Sequence, residues 1–393
     1  MKRRRFLQFT SALPVALQLD PSIALHAQPA QPRPTLVLVE LAGGNDGLNT
    51  VVPYRSAEYR RLRPTLALSA DAVIRLGPEL GLHPSLETIK PIWDEGDLAV
   101  ISGVGYPNPS RSHFRAIEIW ETGSDSPTPP DEGWVGRALG GRAKASTSID
   151  GLVLGDADLG PLQSTSARAL LMARPDVFFR IARQMGAMKS SARAKSNPGL
   201  AHIMAVQSHI AVSARELSSR LASQPSVDGF DSDAFGRQLA TVARLIVADA
   251  PVSTYKVTLA GFDTHVNQAP RHRRLLDRLG RGLKALRDAV GKAERWNQTV
   301  VMTYSEFGRR VKENGSRGTD HGTAAPVFVM GGRVRGGHLG QTPSLSALDG
   351  GDLRYTVDFR RIYKTLLTRH LGLPTTKAGW PKQRHLPLID ASA

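Results

Sequence analysis

Six short apolar runs, rich in β-branched residues and each closed by Gly, Asn, Asp or Ser, constrain this 393-residue chain more than any other feature. They are Thr35 to Leu41, Leu98 to Ser102, Leu152 to Leu154, Tyr255 to Ala260, Thr299 to Tyr304 and Pro326 to Met330. A strand with one wet face alternates apolar and polar residues, whereas a strand covered on both faces reads as an unbroken apolar run. These runs therefore predict a parallel sheet buried between two layers. Helical periodicity lies between them, at Ala116 to Trp120, Phe178 to Met185, Leu275 to Val290 and Phe359 to Leu371. The alternation predicts an α/β fold with a doubly wound, mostly parallel sheet sandwiched by helices. Between about 167 and 250 the strand signal lapses, and Ala205 to Leu221 and Phe235 to Ala248 read as amphipathic helices, so a helical insertion is expected there. The Ser, Ala and Lys tract from Lys189 to Pro198 reads as a surface loop.

In doubly wound folds ligands bind beyond the carboxyl ends of the strands, so the residues that close each run carry the functional information. The first run closes with Gly43, Gly44, Asn45, Asp46 and Gly47. Glycines here permit tight turning and close approach, and Asp46 can bind a cation, orient a nucleophile or simply cap the turn. The second run leads to Pro109, Ser110, Arg111, Ser112, His113, Phe114 and Arg115, where a helix begins. A hydroxyl at a helix start can cap it, or can attack a phosphoryl or sulfuryl centre whose charge Arg111 or Arg115 offsets. Later runs close with Asp263 and His265, with Glu306, and with Asp320 and His321 shortly before the sixth strand. Neutral imidazoles and carboxylates form a mixed donor set suited to zinc, manganese or iron. Any one pair could be a turn or a surface ion pair; four acidic or histidine-bearing closures in one chain argue together for a metal site.

Composition narrows the choice. The chain has no cysteine, which excludes disulfides, thiolate zinc sites, iron–sulfur clusters and a cysteine nucleophile, and makes an oxidising compartment harmless. Gly43, Gly44 and Gly47 do not follow the dinucleotide-binding glycine spacing, which disfavours a redox enzyme of that kind. The formal charge of +16 favours an anionic partner, either a small molecule or a surface polymer. No nucleic-acid-binding motif accompanies it. Lys2 to Arg5 precede a weakly apolar stretch, Phe9 to Leu19, and Arg3 and Arg4 before Phe6 and Leu7 resemble the twin-arginine export consensus. The reading is a signal over 1–27, a Pro-rich linker over 28–34 and an α/β domain over 35–393. The translocase is then a partner during export, and the destination is periplasmic or secreted. The apolar stretch is too short and polar to anchor the chain in a bilayer. A basic tail on a cytosolic protein is the alternative.

The segments VELAGGNDGLNTVVP, LGLHPSL, YPNPSRSHFRAIEIWETG, GFDTHVNQ, YSEFGRR and GTDHGTAAPVFVMGG, in that order, resemble the exported domain of unknown function 1501 family. That family is similar to the alkaline phosphatase and sulfatase superfamily. The resemblance implies that Asp46 is the first-strand metal ligand and that Ser112, or else Ser110, is the nucleophile. It implies that Asn45, Arg111 and Arg115 contact substrate, and that Asp263, His265, Glu306, Asp320 and His321 complete the metal ligands. Pro107 stands where sulfatases carry their modified cysteine, so formylglycine chemistry is excluded. Phe307 stands where the superfamily has a histidine, which implies one divalent ion (zinc, manganese, iron or calcium) or a weakly held second. His83, Trp120 and Trp134 are assigned to packing. The expected activity is metal-dependent hydrolysis of phosphate or sulfate esters by a serine nucleophile. The alternative is a non-catalytic protein that binds an anionic polymer on the same fold.

Overall fold

The computed structural model describes residues 33–393, apart from 125–129, 141–148, 156–157, 176, 179, 181–196, 343, 376–378, 381–382 and 391–393. The expected leader over 1–27, the linker up to residue 32, most of the helix read over 178–185 and the tract over 189–196 lie outside the described residues.

Each of the six apolar runs is a strand of one sheet: β1 (Thr35–Ala42), and, after the small pieces β2 (Val51–Val52), β3 (Ile74–Arg75) and β4 (Gly81–Leu82), β5 (Leu98–Gly105). Then come β6 (Ile149–Leu154), β7 (Ala169–Met172), β8 (Val252–Ala260), β9 (Thr299–Tyr304) and β10 (Ala325–Met330), followed by β11 (Gly337–Leu339) and β12 (Val357–Asp358). The order across the sheet is β11-β5-β10-β9-β1-β8-β6-β7, with β12 also paired to β5. β1 is central and pairs in parallel with both β8 and β9. Among the described strands of this sheet, β10 alone runs against its neighbours, β5 and β9; β2, β4 and β3 form a separate antiparallel sheet.

The unbroken apolar runs follow from burial on two sides. In β1, Val37, Val39 and Leu41 enter one core while Leu36 and Leu38 enter the other. The first core lies under the helices Gln268–Lys292 and Ala234–Val247, the second under His113–Thr122, Trp134–Leu139 and Phe359–Thr365. Leu275, Leu276, Leu279, Leu283, Leu286 and Val290 make one stripe of the Gln268–Lys292 helix, all inside the first core. Each such side chain contributes about 1.5–3 kcal/mol on burial. Trp120 and Trp134 are buried in the second core, stacked on Phe359 and Tyr363 respectively.

The sheet is mostly parallel, as expected, with Pro326 to Met330 as its reversed strand. One expectation of the fold needs correction. The stretch from 167 to 250 holds the helices Pro198–Ala222 and Ala234–Val247, but it also holds β7, a four-residue strand at the sheet's edge. A strand so short leaves no periodicity to read. The reversal of β10 has a useful effect: its incoming chain meets the same edge of the sheet at which β1, β5, β8 and β9 end. No helix among the described residues is long and apolar enough to cross a membrane.

Candidate metal centre at the carboxyl edge of the sheet

The turn after β1 lies tightly against the ends of β8 and β9. Gly43 and Gly44 have φ of +116° and +80°, and a Cβ would fall 2.4 Å from the Asp263 nitrogen at the first and 2.4 Å from Phe307 Cε2 at the second. Both positions therefore require glycine for conformation and for space. Arg309, which has no exposed side-chain surface, binds this edge together. Its guanidinium donates to the carbonyls of Gly43, Gly44, Phe262 and Thr319, and lies 2.6 Å from Asp263 Oδ1. Burial raises the Asp263 pKa, but the Arg309 contact outweighs it and holds the carboxyl below its ordinary value. Strand-like pairing of Arg309 with His321 sets the incoming chain of β10 alongside.

Three imidazoles converge on Asp263, and in each the Nδ1 is already engaged. His321 Nδ1 lies 2.9 Å from the Arg111 carbonyl, His265 Nδ1 3.1 Å from Asp320 Oδ1, and His113 Nδ1 2.8 Å from Glu306 Oε1. A carbonyl or carboxylate oxygen accepts, so each Nδ1 carries a proton and the neutral form of each ring presents its lone pair at Nε2. Those lone pairs face one another. His265 Nε2 and His321 Nε2 are 3.0 Å apart, Asp263 Oδ1 lies 3.0 and 3.3 Å from them, and His113 Nε2 lies 3.7 Å from Asp263 Oδ2. The donor atoms of His113, Asp263 and His321 all fall within 4.8 Å of one another. Ligands each about 2.0–2.2 Å from one tetrahedral ion stand about 3.3–3.6 Å apart, and the separations of the Asp263 carboxylate from the three imidazoles, 3.0, 3.3 and 3.7 Å, are close to that. Arg309 Nη1, 3.5 Å from His265 Nε2, offers one donor to this cluster, and a proton or a metal cation would relieve the repulsion that remains. The ring of Phe307 packs against His113 and His321, with centroids 4.9 and 4.6 Å away, and forms an apolar wall.

Of the residues singled out from sequence, Asp263, His265 and His321 meet directly. Glu306 and Asp320, expected as ligands, lie against the Nδ1 atoms of His113 and His265. Glu306 is nearly fully buried and also accepts the Gly43 N–H at 2.8 Å. Asp46, expected as the first-strand ligand, is wholly buried; its Oδ2 lies 2.6 Å from Arg63 Nη1 and accepts from the Gln268 amide, while its Oδ1 has no hydrogen-bond partner among the described residues. Burial pushes its pKa up, and Arg63 more than offsets this, leaving it below the ordinary value. Asn45, expected at the substrate, is also buried; its Oδ1 accepts from His272 Nε2 at 2.9 Å and from the Thr50 hydroxyl at 3.1 Å. Ser112 is the exposed N-cap of the His113–Thr122 helix, and its hydroxyl caps no backbone N–H. Ser110 Oγ accepts the Ser112 N–H at 3.2 Å. Arg111 is anchored by the buried Asp352, and Arg115 pairs with Glu118 at 2.5 Å. Sequence reasoning missed His113, Arg309 and Arg63. His113 stood beside the serines that drew attention, and its partner Glu306 is fixed only by the fold.

The sequence pattern of the family described as protein of unknown function (DUF1501) matches residues 99–384. The chain belongs to that family. The DUF1501 match begins within β5 and takes in His113, Asp263, His265, Glu306 and His321, leaving Asp46 outside it. No curated protein matches this DUF1501 chain. Among solved structures it is similar to Ps i-CgsB, at 11% identity over 90% of this chain and 77% of that one, with a TM-score of 0.42. It is also similar to the PsFucS1 sulfatase from Pseudoalteromonas sp., at 9% identity over 88% and 68% of the two chains, TM-score 0.40. A third is the alkaline phosphatase from the Antarctic bacterium TAB5, at 13% identity over 78% and 94%, TM-score 0.34.

Proposed function

We propose that this protein is a metal-dependent hydrolase of phosphate or sulfate esters, with one divalent ion held by His113, Asp263, His265 and His321. The observation that carries this is the convergence of three Nε2 lone pairs and a carboxylate, each imidazole fixed by an acceptor on its Nδ1. Partners that orient ligating histidines in this way are the usual second layer of a metal site. Three imidazoles and one carboxylate favour zinc, manganese or iron over calcium, which takes oxygen ligands. When bound, the ion would polarise the transferred group and stabilise the leaving oxygen.

The chain's own residues supply the rest. Ser112 is the preferred nucleophile: its hydroxyl is exposed one residue before His113, while the Ser110 oxygen is engaged. Its Oγ would bond to the phosphorus or sulfur as the ester oxygen leaves, and water would later release the acid. Arg111, held in place by Asp352, and Arg115 would offset the anionic charge. The leader over 1–27 and twin-arginine export belong to the same proposal, checked by cell fractionation of an Arg3→Lys, Arg4→Lys variant. The rival reading, a non-catalytic binder of an anionic polymer, draws on the charge of +16.

The test is elemental analysis of the purified protein, together with hydrolysis of p-nitrophenyl phosphate and sulfate before and after chelation. One bound transition metal per chain, chelator-sensitive hydrolysis and loss of both in His321→Ala are expected. Metal without turnover would favour the rival reading; no metal would overturn both the site and the reaction.

A further inference from the structure

The turn at 349–352 sits against three segments that carry the candidate centre: those of Arg111, Arg310 and Thr323. We infer that Asp352 is a positioning residue of this centre: through Arg111 it sets the carbonyl that orients His321 and fixes the segment bearing Ser110 and Ser112.

Gly350 and Gly351 have φ of +56° and +89°, and Asp349 and Asp352 exchange backbone N–H···O bonds of 2.9 and 3.0 Å. Two adjacent positive φ values make the tight turn that Gly-Gly favours. Beyond it Leu353 is buried in a core with Tyr54, Tyr59 and Val311, and the Thr356 N–H donates to the Gly103 carbonyl at the end of β5, at 2.8 Å. Asp352 is therefore held by fixed backbone on both sides, and its side chain is 1% exposed.

That carboxylate faces two arginines from distant parts of the chain. Its Oδ2 accepts from Arg111 Nη2, and its Oδ1 lies 3.5 Å from Arg310 Nε, whose Nη1 donates to the Gly350 carbonyl at 2.6 Å. Thr323, two residues after His321, donates its hydroxyl to the Leu353 carbonyl at 2.6 Å. A buried carboxylate needs such partners, and the charge-assisted bond to Arg111 is the direct one.

Arg111 lies in the stretch 106–112, which has no regular structure between β5 and the His113–Thr122 helix. Arg111 ties this stretch to the rest of the molecule twice, by its guanidinium on Asp352 and by its carbonyl, 2.9 Å from His321 Nδ1. Both bonds belong to one residue, so releasing the guanidinium loosens the carbonyl. His321 then loses the acceptor that keeps the proton on its Nδ1. The same release displaces the neighbouring hydroxyls of Ser110 and Ser112. The consequence for hydrolysis rests on the hydrolase reading; the consequence for the imidazole does not.

The experiment uses the full chain stripped of metal and labelled with ¹⁵N-histidine, reading each ring's tautomer by NMR at about pH 8, where imidazoles are neutral. His321→Ala assigns the signal. In the parent, His321 should be protonated at Nδ1. In Asp352→Ala, whose folding is checked by circular dichroism, the Nε2–H form should rise to a comparable share, while His265, whose Nδ1 meets Asp320, stays unchanged. Arg111→Ala should give the same shift, the double variant no more than either, and zinc affinity should fall about tenfold in each. Arg111→Ala carries the test if Asp352→Ala fails to fold. An unchanged His321 tautomer in the folded variants overturns the inference. So does an equal shift at His265, or in Arg310→Met, which spares the Arg111 bond. Because neither metal nor ester is present, failure to bind metal or to hydrolyse esters leaves the tautomer result standing. Unchanged tautomers beside intact metal-dependent hydrolysis sink the role of Asp352 alone.

Discussion

Glu306→Gln separates a ligand-orienting carboxylate from a merely buried one. Glu306 Oε1 accepts from two donors, Gly43 N–H and His113 Nδ1–H, both at 2.8 Å. Glutamine keeps the volume and an acceptor oxygen. If its NH₂ turned toward those donors, donor would face donor, so the amide oxygen should stay in place and the NH₂ should point to Ser305 Oγ, which can accept. His113 therefore keeps its tautomer and loses only the negative charge behind it. Loss of such a partner typically weakens metal affinity by about 10–100-fold, or about 1.4–2.7 kcal/mol. Zinc affinity of the stripped protein and the variant, measured by competition with a chromophoric chelator, reads this directly. Thermal unfolding without metal should move little. Zinc affinity within a factor of two of the parent, with unchanged unfolding, would show that His113 is no ligand and would refute the reasoning about convergent lone pairs.

Two further outcomes concern the scaffold. Arg63→Met should lower stability by about 3–5 kcal/mol in urea unfolding, since it leaves the Asp46 carboxylate buried without its cation; a loss below about 1 kcal/mol would mean that Asp46 is neutral in the folded protein. Burial pushes His83, His272 and His370 each down to about 4. Between pH 6.5 and 4 the unfolded chain then binds protons that the folded chain refuses, so stability should fall with acidification by up to about 1.4 kcal/mol per pH unit for each histidine. Urea midpoints recorded from pH 7.5 to 4.5 check this, and a flat profile would contradict it.

The sheet was legible because strands covered on both faces are mostly apolar, so β1, β5, β8, β9 and β10 stand out as apolar runs; the charged exceptions Glu40 in β1 and Lys256 in β8 pair with each other at 3.1 Å. β2, β3, β4, β11 and β12 are two or three residues long and carry no period. At the candidate site, residue types were legible and directions were not. Asp46 and Asp263 both close strands, yet one carboxylate is taken by Arg63, which lies in a stretch without a motif, and the other opens onto the imidazoles. Likewise Glu306 and His321 follow β9 as expected donors, but only the fold shows that Glu306 meets the Nδ1 of His113 from behind.

The central place of β1 also bears on how the chain is made. Its partners β8 and β9 lie more than two hundred residues further on, with Leu36 beside Thr254 and Thr35 beside Thr299. At synthesis rates of about 5–20 residues per second, the first strand emerges roughly 10–50 s before either neighbour exists. Through that interval an apolar segment with two unpaired edges is available to the wrong partner, and loop closure over such distances is slow. A strand in the middle of the sheet thus makes this a protein whose yield depends on what shields residues 35–42 while the ribosome finishes the rest.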